Sequence, residues 1–146
     1  MRLWVRSGIV ILIVALGPFL IASCGIGPQQ VEGEERDAVL AYAEPATDNM
    51  LAGLQTGDYA QFTRDMSPEM LDAMTESQFA SLRTMLDSKV GGYVSRQVSR
   101  VEKDQDFVTV VYDAQYQDEE HVTMRVVFDQ AKLISGLWFD SPKLRE

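Results

Sequence analysis

The stretch Thr75–Asp104, "TESQFASLRTMLDSKVGGYVSRQVSRVEKD", contains the point at which the chain changes its period. Up to Lys89 the apolar residues Phe79, Leu82, Met85 and Leu86 recur at helical spacing. Thr75-Glu76-Ser77-Gln78 fits a capping box, and Gly91-Gly92 ends the segment, so a helix is predicted over about Glu76 to Lys89. After Gly92 apolar and polar residues alternate. Four strands are expected: Tyr93 to Lys103, Phe107 to Gln117, His121 to Asp129 and Leu133 to Asp140, joined by short polar turns into an antiparallel meander.

The same reading extends towards the N-terminus. Val39, Ala43, Ala46, Met50 and Leu54 lie at helical spacing, with Leu40 and Leu51 widening the stripe and Gly57-Asp58 as a stop. Pro45 either kinks this helix or marks where its well-formed part begins. Ser67-Pro68 starts a short helix to about Met74. Helices followed by strands predict an α+β domain, with N-terminal helices packed on one face of a curved four-stranded antiparallel sheet.

Register follows from the faces of the middle strands. A three-residue turn at Asp118 to Glu120 would pair Tyr116 with Val122 and Tyr112 with Val126, and set Asp113 opposite Arg125 on the outer face. The inward polar candidates are Tyr112, Tyr116 and Asp140. Thr109, Val111 and Val127, with Leu137 or Phe139, make a moderately apolar outer face on which a homodimer could form. Arg96, Arg100 and Lys103 are read as charges that protect an edge strand.

The residues ahead of Arg36 belong to another class. Arg2 and Arg6 precede the uncharged apolar run Gly8 to Ala22, which leads through small residues to Cys24, the single cysteine. A bilayer core needs roughly 20 apolar residues. The run is shorter and contains Gly17 and Pro18, so a signal peptide over residues 1–23 is preferred to a membrane-spanning helix. Gly25 to Glu35 has almost nothing to bury and is expected to be a flexible tether, giving residues 24–35 as linker and 36–146 as one domain.

Chemistry-bearing patterns are few. The lone His121 cannot supply the clustered ligands of a zinc or iron site, and no second cysteine stands beside Cys24 for a redox pair. No serine sits in a nucleophile elbow. Losing Arg2 and Arg6 with a leader moves the formal charge from −9 to −11, which repels phosphate backbones and argues against nucleic acid. From Val31 to Ser88 there are twelve acidic and three basic residues, a solvated acidic half. Met66, Met70 and Met74 recur every four residues and suit core filling. If a cavity exists, its lining is expected to be Met70, Met74, Tyr112, Tyr116, Phe128 and Trp138, with an apolar ligand. No catalytic residue, metal or cofactor is expected.

Two resemblances add to this. Leu20-Ile21-Ala22-Ser23-Cys24 resembles the lipobox of bacterial-type lipoproteins, in which the cysteine is acylated and becomes the first residue. Ile21 stands where that family more often has Leu. The resemblance implies a Cys24 thioether to diacylglycerol, with palmitate-like chains, that holds the protein to a cell membrane outside the cytoplasm; each buried methylene contributes about 0.8 kcal/mol. Second, "LAGLQTGDYAQFTRDMSPEM" (51–70), "KVGGYVS" (89–95) and "ISGLWF" (134–139) resemble a family of unknown function in the cystatin-like superfamily named after nuclear transport factor 2. That likeness implies a cone-shaped fold and an accessory module; with no recognisable base, metal cluster or nucleophile in the sequence, a non-catalytic module that binds a protein partner or a small apolar ligand is expected. Fold relatives that are isomerases or dehydratases imply the alternative, an enzyme using Tyr112 or Tyr116 as proton donor.

Overall fold

A computed structural model describes residues 27–146. The expected signal peptide and Cys24 lie outside the described residues.

The helical stripe from Val39 to Leu54 becomes α1, Gly33–Thr56. The helix continues through Pro45, which sits on its exposed side. The carbonyl that proline leaves unbonded, on Ala41, is likewise on the exposed side of the helix, open to solvent. Gly57 closes α1 in the left-handed conformation (φ +78°), its N–H bonded to the Gly53 carbonyl. Asp58 then caps a short helix that the periodicity does not announce, α2 (Tyr59–Thr63), by accepting the Gln61 N–H at 2.9 Å. Ser67 and Thr75 cap α3 (Pro68–Ala73) and α4 (Glu76–Lys89), accepting the N–H groups of Met70 and Gln78.

The sheet has five strands where four are expected. The additional one, β1 (Gln29–Gln30), pairs with the far end of β2 (Tyr93–Asp104), Gln29 opposite Lys103 and Gln30 opposite Glu102. Val31 extends the attachment by donating to the Val101 carbonyl, and its side chain is buried. The expected tether is therefore shorter: chain ordered by backbone pairing starts at Gln29, and α1 at Gly33. β3 (Phe107–Tyr116), β4 (Val122–Phe128) and β5 (Ile134–Asp140) follow, and the order β1-β2-β3-β4-β5 is antiparallel throughout. A last short helix, α5, spans Pro142–Arg145.

Two register expectations are corrected. Tyr112 pairs with Met124, not Val126, and Asp113 with Thr123, so Arg125 faces Val111. The turn is longer because the end of β3 is engaged elsewhere: Gln117 N–H binds the Gly92 carbonyl, Asp118 N–H the Val90 carbonyl, and Tyr116 N–H the Glu119 carbonyl. The slip is two residues, so every side chain keeps its face. Asp113 instead meets His121, with 3.1 Å between carboxylate and ring nitrogen.

The second correction changes faces. Phe128 pairs with Ile134 but Val127 with Gly136, leaving Ser135 as an extra residue in β5. One extra residue inverts the alternation after it. Leu137 and Phe139 therefore pack against the core, while Trp138 and Asp140 share the outer face with Arg125 and Thr123.

The core lies between α1 and the inner sheet face. Ala43, Met50 and Phe62 from the helices meet Val110, Tyr112, Met124, Val126, Phe128 and Ile134, all essentially inaccessible. Close packing extends to the backbone, since a Cβ on Gly53 would lie 2.3 Å from the Phe62 nitrogen.

Candidate functional site

Tyr112 and Tyr116 stand four residues apart on the inner face of β3, yet their hydroxyls have different surroundings. Tyr112 OH donates to Glu44 Oε1 at 2.7 Å and lies 3.2 Å from the Thr47 hydroxyl. Arg96 stacks over the Tyr112 ring at 4.9 Å and reaches Glu44 at 3.3 Å and Asp48 at 2.5 Å. Glu44 and Asp48 are one turn apart on α1, so a single guanidinium spans both. The Arg96 side chain is only 9% exposed. It is a buried partner to the helix, not the edge charge expected of it. Burial pushes the Tyr112 hydroxyl well above its ordinary pKa of 10.0; Thr47 and Arg96 oppose this and Glu44 adds to it.

Tyr116, 3% exposed, has a buried hydroxyl with no hydrogen-bond partner among the described residues. It lines a cavity of about 290 Å³ at the start of the β2–β3 hairpin. The end of α1 supplies Leu51, Leu54 and Gln55, and α4 supplies Arg83, Leu86 and Asp87. Gly91, Gly92, Tyr93 and Gln117 complete the wall. Gly91 has φ +78°, and a Cβ there would lie 2.8 Å from the Asp118 carboxylate, so the turn that shapes this wall requires glycine.

Most polar groups around the cavity hold the wall together. Arg83 Nε donates to the Leu54 carbonyl at 2.8 Å and Nη2 to the Gln55 carbonyl, satisfying the C-terminal end of α1. Gln55 bonds the Tyr93 carbonyl, and Gln117 accepts the Gly92 N–H. Tyr93 packs edge-on against the Tyr116 ring at 5.7 Å. Burial, with Tyr93 and Asp87 adding to it, pushes Tyr116 far above 10.0. Its hydroxyl is therefore a neutral donor at physiological pH. Leu51, Leu54 and Leu86 share the wall with Gln55, Arg83, Asp87 and Gln117, and the Tyr116 hydroxyl is buried behind it, which suits a small amphiphilic molecule that brings a hydrogen-bond acceptor.

The expected lining does not gather around this cavity. Only Tyr116 borders it. Tyr112 and Phe128 are closed within the core, and Met70 packs half-buried against it. Met74 borders a separate open groove with Leu82, Met85 and Phe139. Trp138 is 58% exposed on the opposite sheet face because of the Ser135 bulge. Asp140 is exposed and held by Arg145, whose hydrogen bond and charge lower its pKa. The periodicity missed Leu51, Leu54, Arg83 and Leu86 as cavity residues, although they lie at the helix ends that the glycine stops mark.

Among the described residues no group of His, Cys, Asp and Glu is placed to hold a metal ion, and no helix is long and apolar enough to cross a membrane. A family model described as "Protein of unknown function (DUF3887)" matches residues 48–137, a span that includes every residue of the Tyr116 cavity. No curated protein and no solved structure matches the chain.

Proposed function

The chain belongs to this DUF3887 family, and from that premise we propose a membrane-anchored extracytoplasmic lipoprotein whose domain is a non-catalytic binding module. The domain is of the cystatin-like cone type, with helices against an antiparallel sheet. Its seat is the cavity beside Tyr116, and its ligand is a small, mainly apolar molecule that accepts one hydrogen bond.

The observation that carries this reading is the Tyr116 hydroxyl, buried without a partner among the described residues beside about 290 Å³ of space walled by three leucines and by polar side chains. A buried donor left unpaired costs about 1–3 kcal/mol, a cost removed by a ligand that displaces the wall over the hydroxyl and supplies an acceptor. Catalysis would need a base beside this donor. Asp87 is the carboxylate in the lining, and it makes no hydrogen bond to the Tyr116 hydroxyl; Tyr112 has Glu44 as its acceptor.

A thermal-shift screen of small amphiphiles on the intact protein tests the seat. Ligands that stabilise the native chain should lose that effect in Tyr116→Phe, and a ligand that stabilises both equally would refute the assignment. For the anchor, Cys24→Ser should abolish incorporation of labelled fatty acid; retained label would refute it.

A further inference from the structure

We propose that the outer sheet face, through Phe107 and Trp138, rests on the bilayer to which the chain is anchored; this rests on the anchor reading above. Phe107 opens β3 at the tip of the β2–β3 hairpin and is 48% exposed. Trp138, 58% exposed, is brought to the same face by the Ser135 bulge. Single exposed apolar residues are ordinary. These two are not single, since they border one groove of about 410 Å³ together with Thr109, Val127 and Pro28, and with Glu102, Asp104 and Arg125 as its charged rim.

The Trp138 ring is also held in place. It lies so close over Gly136 that a Cβ there would come within 2.5 Å of it, with Val127 alongside. A large aromatic is thus kept on the surface by a bulge and a glycine.

Pro28 identifies the occupant. It lies four residues after Cys24, and four residues reach at most about 14 Å. Acyl chains on Cys24 therefore bring headgroups to the groove. Tryptophan fits that depth, where its apolar ring and its N–H are both accommodated, and phenylalanine beside it adds an apolar ring. A second copy of the chain fits less well. The two aromatics leave on the order of 200 Å² exposed, so a second copy would need most of the about 800 Å² per partner of a stable interface from the polar and charged residues around them. The acyl anchor supplies affinity, and the aromatic pair supplies orientation, with the outer sheet face down and the helices away from the membrane.

The test uses the full chain as the cell produces it, reconstituted into phosphatidylcholine vesicles with plain or brominated acyl chains. Subtracting the emission of Trp138→Leu isolates the Trp138 signal from any contribution of Trp4. The chain should float with the vesicles, and bromine should cause a roughly twofold loss of the Trp138 component. A floating chain whose Trp138 signal is the same in both vesicles overturns the proposal while leaving the anchor intact. A signal that is blue-shifted and equally insensitive to bromine also overturns it and assigns the face to a second copy. A chain that does not float removes the anchor reading and this inference together. Phe107→Trp in the Trp138→Leu background, read the same way, should report the same quenching if the face as a whole docks.

Discussion

Replacing Tyr112 and Tyr116 by phenylalanine should move stability in opposite directions. Both side chains are buried on the same face of β3, and phenylalanine fills the same ring volume without leaving a cavity. At Tyr116 the hydroxyl has no partner among the described residues, so its removal relieves a desolvation cost of about 1–3 kcal/mol. At Tyr112 the hydroxyl donates to the Glu44 carboxylate, a charge-assisted bond worth about 1.5–3 kcal/mol. Glu44 is 40% exposed and can turn to water, which places the expected loss near the lower end, about 1.5 kcal/mol. The Thr47 hydroxyl, 3.2 Å away, would be left unpaired and keeps the sign firmly destabilising. Equilibrium urea unfolding of the two variants and the parent, at one pH and without added ligand, reads both effects as midpoint shifts at constant slope. A Tyr116→Phe chain less stable than the parent by about 1 kcal/mol or more would refute the reasoning, because its hydroxyl would then be satisfied.

Alkaline pH should act through the same residues. Both tyrosine pKa values are raised on folding, so the stability is fully present below 10.0, the ordinary value, and is lost as pH rises above it towards the folded values. Each contributes a slope of up to about 1.4 kcal/mol per pH unit, and each phenylalanine variant should flatten the decline by one such step in pH-dependent urea titrations. Gly53→Ala should destabilise by about 3 kcal/mol despite the better helix propensity of alanine, because the new methyl meets Phe62 and Asp58 backbone atoms that cannot rotate away; an unchanged thermal midpoint would contradict that packing. Arg96→Met should cost about 1–3 kcal/mol, less than a fully buried pair because Glu44 and Asp48 reach solvent, and Arg96→Lys should recover only part of it. Calorimetry of the three chains checks the order.

Period and punctuation were sufficient for most of the architecture. The four long strands begin and end within one residue of their expected bounds, and Ser67-Pro68, Thr75 and Gly91-Gly92 mark the helix ends where the structure has them. Gln29–Gln30 escaped because a two-residue strand has no period, and its pairing depends on where the edge of β2 happens to lie. The faces of β5 escaped because one bulged residue reverses them; the signal was present in Ser135-Gly136, since glycine inside a strand often marks a bulge. Arg96 was misjudged because alternation places a side chain on a face but does not say which helix residues meet it there. Glu44 and Asp48, an acid pair one turn apart, were the available clue. Of the expected lining only Tyr116 was legible as a cavity residue, because the cavity forms where helix ends meet the hairpin base, and contacts between elements leave no repeat in either one.

The two-residue strand at the entrance to the domain also has a mechanical consequence. A pull on the chain from its N-terminal side is borne first by the pairing of Gln29 and Gln30 with Lys103 and Glu102, and by the Val31 bond to Val101. Those bonds can be peeled one after another while β2 to β5 and the capped helices keep their own ladders. Tyr93 and the Tyr116 cavity stand at the other end of β2, ten peptide steps from Lys103 or about 33 Å along an extended strand. The domain therefore has a small tear strip at its N-terminal edge, and a load there is released along β1 before it disturbs the Tyr116 cavity.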